Sequence, residues 1–368
     1  MSAATGASAA GRLVTLGHLE LPEYPVDAAW APDGRSLVVG LADGCVTLVQ
    51  LPPLTSPQVL PPAQALQASQ VLRAHSQSVL AVAWQKAGRL WASSGQDGRV
   101  LLWDARVQQP QVVHEERQWS ERLAFAERGS GLAVATGRTL RVFDEAGTLR
   151  YQHAGSAGAI SALAWHPRAA ELASAGNGGV LLHRIDLKRS TGGPEAAAPP
   201  ARLLPLRAVC VCIAFHPEGR LLAAGLQEGS VQLWNLATGS DSRLDGFGAR
   251  VLATEWSATG RYLAGAAGSE LALWDFSGRT GGHAGPAALR LPAHSERITA
   301  LGFRPGGNWF ASAGVDRRLL WWRAGAGDAP QDAHLLADEC SLLRFSRDGA
   351  LLAVGDASGG LSIFECRP

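Results

Sequence analysis

His75, Ser93 and Asp97 stand close together in the chain, and Trp103 follows them. Histidine, serine and aspartate are the residue types of a hydrolytic triad, in which an imidazole held by a carboxylate activates a hydroxyl. The same set returns as His294, Ser312 and Asp316, again followed by a tryptophan, Trp322. A nucleophile needs an open position that substrate can reach. Here the serines lie inside short alternating runs and the aspartates sit in tight turns, so both sets read as structure and not as catalysis.

The elements that must position these residues can be read from residues 71–104. Val79, Ala81 and Ala83 alternate up to Trp84, a turn follows over residues 85–88, and a second run reaches Ser93. Asp97-Gly98 then makes a tight turn into a third run ending Trp103-Asp104. Period-two patterning with turn residues between the runs predicts an antiparallel meander, and Asp-Gly is among the strongest hairpin signals. The unit recurs. The aromatic that ends the first strand returns as Trp30, Trp84, Phe125, Trp165, Phe215, Trp256, Phe303 and Phe345. A glycine stands four residues after each except the fourth, which has Ala169; glycine supplies the positive φ of a tight turn. The third strands repeat in step over residues 46–49, 100–103, 140–143, 180–183, 231–234, 271–274, 319–322 and 361–364.

Residues 71–104 resemble the WD40 repeat, a four-stranded propeller blade recognised by its GH…WD pattern. The resemblance implies an all-β fold: a single propeller of eight blades, each of four antiparallel strands, or of seven if the third or fourth unit is an insertion. It implies that His75, Ser93, Asp97 and Trp103 form one hydrogen-bonded lock, carboxylate to imidazole to hydroxyl to indole, and that His294, Ser312, Asp316 and Trp322 form a second. The fourth unit keeps Ser174, with His153 as a displaced partner, Asn177 near the aspartate position and His183 as a packed imidazole in place of the third-strand tryptophan. His166 and His216 read as ordinary exposed turn histidines. The eighth unit lacks an outer strand, and residues 12–16 are the natural donor, pairing the two termini and closing the ring. The domain reading is therefore a disordered segment 1–11 followed by one propeller over 12–368.

Composition bounds the rest. With 368 residues, 46% hydrophobic and 18% charged, the chain can bury a large core. A net charge of +1 gives no basic field for nucleic acid or an anionic membrane. Lys86 and Lys188 are the only lysines among 33 basic residues, a skew that suggests a GC-rich, bacterial genome. Five scattered cysteines without a CxxC pair read as reduced thiols, and no metal ligand set or cofactor motif is visible. The first residues lack the features of a signal peptide and no apolar run is long enough to span a bilayer, so a cytoplasmic protein is expected. Three stretches rich in Pro, Gly, Ala and Ser, 51–70, 188–201 and 277–288, read as passive surface loops.

The resemblance also implies where partners dock: on the face carrying the loops that enter the first strands. The residue six positions before each marker aromatic opens that strand, and four of the eight are Tyr24, Trp119, Arg250 and Arg297. Tyrosine, tryptophan and arginine are enriched at interface hot spots. The expected function is a non-enzymatic scaffold, monomeric by itself, for one or more protein or peptide partners. The alternative is a small-ligand or enzymatic site in the central channel, which would need carboxylates, histidines or metal ligands converging on the axis.

Overall fold

The computed structural model describes residues 11–52, 66, 68–188, 201–278 and 286–368. All eight units form four-stranded antiparallel sheets, and no helix occurs among the described residues. In blade two the strands are Val79–Trp84, Leu90–Gly95, Arg99–Asp104 and Val107–Glu115, paired in sequence order. The first strand of each blade contacts the first strand of the next around a closed circuit, Pro25–Trp30 meeting Cys340–Phe345 at its end. The ring is shut as expected, by Arg12–Glu20 pairing antiparallel with Gly360–Arg367 as the outer strand of blade eight. That strand runs beyond residue 16, and an irregularity between Thr15 and Gly17 lets it do so.

Segment 1–11 lies outside the described residues except for Gly11, as do the interiors of the three long connections. The loop reading fails at two of their ends. Ala68–Arg73 and Ala288–Leu291 are outer strands, since each has a free edge of its own blade's third strand to pair with.

A sheet hides its apolar faces only against neighbours, and here the core is divided accordingly. Eight apolar clusters fill the eight seams, each drawing on two adjacent blades. Trp321 is buried in the seam between blades seven and eight, stacked 5.2 Å from Trp309, while its neighbour Trp322 points into the lock. One strand thus feeds both its faces.

The inner edges need separate treatment, because a first strand has no sheet partner on its axial side. Side chains of adjacent blades fill that role. The indoles of Trp30, Trp165 and Trp256 donate to the carbonyls of Arg344, Ala124 and Ala214 on the preceding blade. The Ser161 and Thr299 hydroxyls donate at 2.7 Å to the Cys210 and Cys340 carbonyls of the following blade. Just beyond the marker aromatic, His166 and His216 pair at 3.1 Å with the carbonyls of Gly219 and Gly260 on the next blade. The reading of these two as exposed turn residues is corrected here: they are bolts between blades, and His216 is buried. A Cβ on Gly219 or Gly260 would collide with the histidine ring, a second reason for glycine at a turn that already needs positive φ.

Candidate docking face

The two ends of the ring are built from different connections. One carries the loops that enter the first strands and the hairpins between second and third strands; the other carries the remaining hairpins. Tyr24, Ser78, Trp119, Ala159, Val209, Arg250, Arg297 and Glu339 each stand directly before a first strand, so they form one circle at the entry end. Each of these strands then bulges at its second residue, for example between Pro25 and Asp27 or Cys340 and Leu342. A bulge in the innermost strand re-aims the chain as it enters the ring.

The two locks sit beneath this end. His75 Nδ1 lies 2.9 Å from Asp97 Oδ1, His75 Nε2 lies 2.9 Å from Ser93 Oγ, and the Trp103 indole donates to the same Oγ at 3.1 Å. Asp97 also accepts the backbone N–H groups of Ser76 and Arg99, pinning the loop to the hairpin. Blade seven repeats this with His294, Asp316, Ser312 and Trp322 at 2.9–3.0 Å. Burial holds both imidazoles below the usual histidine range, while the histidine and backbone donors hold both carboxyls low against the opposing effect of burial. Both serines are fully buried, away from any substrate.

Blade four is wired differently from the sequence reading. Ser174 bonds His183, not His153, at 2.8 Å, and the other ring nitrogen of His183 meets the Tyr151 hydroxyl at 2.8 Å. His153 only packs against the His183 ring. Burial and the neighbouring His153 push His183 down to about 3. The imidazole of this blade has moved from the loop into the third strand, where no lock template would place it.

At the rim, Trp119 is 51% exposed, Val209 39% and Tyr24 38%. Arg250 and Arg297 are exposed and make no ion pair or side-chain hydrogen bond among the described residues; neither reaches Glu296 or Glu339. The same holds for Arg117, Arg207 and Arg317 on this end. Arg317 has φ 61°, alone among described non-glycine residues in the left-handed region, where blade two has Gly98. Tyr24 and Arg297 are near enough to interact: burial raises the tyrosine pKa, with Cys340 and Glu339 adding to it and Arg297 opposing. Arg250 is one blade on, whereas Trp119 stands on blade three, apart from the other three. Arg117, Arg207 and Arg317 escaped the sequence reading because it sampled one residue per loop.

The first strands carry five charged side chains that their largely aliphatic pattern gave little reason to expect: Asp27, Glu121, Arg122, Glu255 and Arg344. Three are committed to the seams. Arg344 bonds Asp27 at 2.7 Å and the Ala28 carbonyl; Asp27 accepts the Val82 N–H; Arg122 donates to the Ser161 carbonyl at 2.9 Å. Glu255 accepts the Phe303 N–H at 2.7 Å, and burial lifts its carboxyl to about 7 against the pull of that bond and of Arg344. No group of three or more His, Cys, Asp or Glu placed to hold a metal occurs among the described residues, and all five cysteines are free.

Comparison with known proteins agrees with this architecture. Residues 66–104, 207–235 and 287–323 match the WD40 family, described as WD domain, G-beta repeat. The chain is 21% identical over 86% of its length to WD repeat-containing protein slp1 of Schizosaccharomyces pombe, covering 53% of that protein. It is 27% identical over 87% of its length to Cell division cycle 20.1, cofactor of APC complex, of Arabidopsis thaliana, covering 58%. The chain thus spans about half the length of the curated relatives it matches. In fold it is similar to the computationally designed Ika8 protein, with a TM-score of 0.74 and 19% identity over 96% of this chain and 99% of that one. These natural relatives are eukaryotic, so the bacterial source suggested by composition gains no support from them.

Proposed function

We propose that this chain, which carries WD40 repeats in an eight-bladed propeller, is a non-catalytic docking scaffold whose working surface is the entry end of the ring. The observation that carries this reading is that the exposed aromatic side chains among the described residues, Tyr24 and Trp119, both stand at the entry end. Five exposed arginines at the entry end have no partner among the described residues, and they share that end with Trp119, Tyr24 and Val209. Exposed arginine and large aromatic groups are the residues from which binding hot spots are made. The strained backbone at Arg317 points the same way, since a glycine there would relieve it and the chain keeps an arginine. The partner is a protein whose docking segment offers carboxylates to the arginines and apolar side chains to Trp119 and Val209.

The scaffold acts as one domain over residues 12–368, and as a monomer until its partner binds. No described helix is long and apolar enough to cross a membrane, and a cytoplasmic setting is part of the proposal. One relative is named a cofactor of the APC complex, which supports service to a larger protein assembly as the general role. A second reading, a small-ligand site in the channel, is favoured by two first-strand carboxylates, Glu255 and Glu121, the latter without an ion pair or side-chain hydrogen bond among the described residues; Asp27, Arg122 and Arg344 are spent on holding blades together.

Site-specific photo-crosslinking tests the first reading and needs no candidate partner. A benzophenone amino acid placed at Trp119 in source cells is expected to yield discrete protein adducts, and the same group at Arg89 on the other end is expected to yield none. Adducts from position 89 alone would contradict the assignment.

A further inference from the structure

The rewiring of blade four leaves a space that blades two and seven fill. In those blades an imidazole descends from the entry loop onto the serine of the second strand. In blade four that loop position is Ser156, and Ser174 is turned toward His183 instead. What remains is a hollow of about 270 Å³ lined by His153, Ser156, Ser174, Asn177, Leu181 and a wall of glycine backbone. It is bordered by the entry loop and by the hairpin at Asn177-Gly178, so it belongs to the entry end.

Its polar groups are uncommitted. The Ser156 hydroxyl is buried with no hydrogen-bond partner. The Asn177 amide and the His153 ring make no hydrogen bond to any described residue. Ser174 has one partner, where Ser93 has two, His75 and the indole of Trp103. A buried hydroxyl without a partner costs stability, and a ligand that supplies the missing bond recovers it. The hollow is smaller than the roughly 300–1,000 Å³ of sites for drug-sized ligands, so its occupant is a fragment-sized group.

We propose that this hollow binds a planar nitrogen heteroaromatic ring bearing an N–H, the chemistry that a covalently attached histidine supplies at the equivalent place in blades two and seven. The ring arrives either free or as the His or Trp side chain of a docked segment. The hydroxyl, amide and imidazole around the hollow offer both donors and acceptors to the ring edge. The site stands whether or not the arginine rim docks a partner.

The test is a titration of the full-length ¹⁵N-labelled chain with imidazole, with indole, and with capped Ala-His-Ala and Ala-Trp-Ala peptides. Binding is expected to move the backbone amides of residues 155–159 and 176–178, to weaken about tenfold in Asn177→Ala, and to vanish in Ser156→His, where the new ring occupies the hollow. Melting of both variants checks that they fold; Ser156→His is expected to melt no lower than wild type. A response to the free rings alone assigns the site to a small molecule, and a tighter response to the peptides assigns it to a partner's side chain. No response at millimolar probe, or an undiminished response in Ser156→His, overturns the proposal.

Discussion

At the end of the ring remote from the entry loops, Glu127 lies 3.7 Å from Lys86 and 3.4 Å from Arg347. Arg89 pairs with Asp104, Arg261 with Asp275 and Arg220 with Glu218 on the same end. At the entry end Arg117, Arg207, Arg250, Arg297 and Arg317 have no such partners among the described residues. Pairing alone does not divide the two ends: Arg35, Arg106, Arg128 and Arg168 on the remote end also lack an ion pair or side-chain hydrogen bond among the described residues, and Arg99 with Glu115, Arg243 with Glu228 and Arg290 with Glu270 pair at the entry end. What divides them is the exposed aromatic pair, Tyr24 and Trp119, which stands beside unpaired arginine at the entry end and leaves a surface that gains by contact.

The contrast extends to stability, because the entry end is also where the locks are. Asp97→Ala is expected to lower stability by about 1–3 kcal/mol, since it strands a buried imidazole and two backbone N–H groups. Asp316→Ala should cost as much, and the double variant should cost the sum, because blades two and seven share no seam. Glu127→Ala at the other end breaks pairs that are about half exposed, and should cost no more than about 0.5–1 kcal/mol. Urea unfolding of the four variants checks the order; equal losses for Asp97→Ala and Glu127→Ala would break the comparison. A smaller effect of opposite sign sharpens it. Arg317→Gly relieves a left-handed backbone and should raise stability by about 1 kcal/mol, while weakening partner capture. A stabilised variant with undiminished capture would remove Arg317 from the docking surface.

The blade count was legible because the features that mark a blade are tied to its own backbone or to a fixed place on the next. Glycines such as Gly34 and Gly88 take positive φ in the same turn of successive blades, and three of the four marker tryptophans, Trp30, Trp165 and Trp256, reach the same carbonyl of the preceding blade. The spacing of His75, Ser93, Asp97 and Trp103 was legible for the same reason, since all four lie in one sheet and its entry loop. What sequence could not supply were contacts between blades. His166 and His216 look like loose turn residues until the neighbouring glycine carbonyl is placed beside them. Asp27 and Arg344 are 317 residues apart and meet only because the ring closes. His153 was misread as the partner of Ser174 for a subtler reason: a hydroxyl will take any imidazole within reach, and in blade four His183 on the third strand offers one before the loop does.

Affinity capture from source cells, run in parallel on three forms of the chain, tests most directly that one end of the ring does the docking. The forms are wild type, Trp119→Ala with Arg250→Ala and Arg297→Ala, and Lys86→Ala with Arg89→Ala and Arg261→Ala. The first triple variant should lose the partners that wild type retains while melting at the same temperature, and the second should keep them. Retention by the first and loss by the second would place the working surface on the opposite end and contradict the assignment made here.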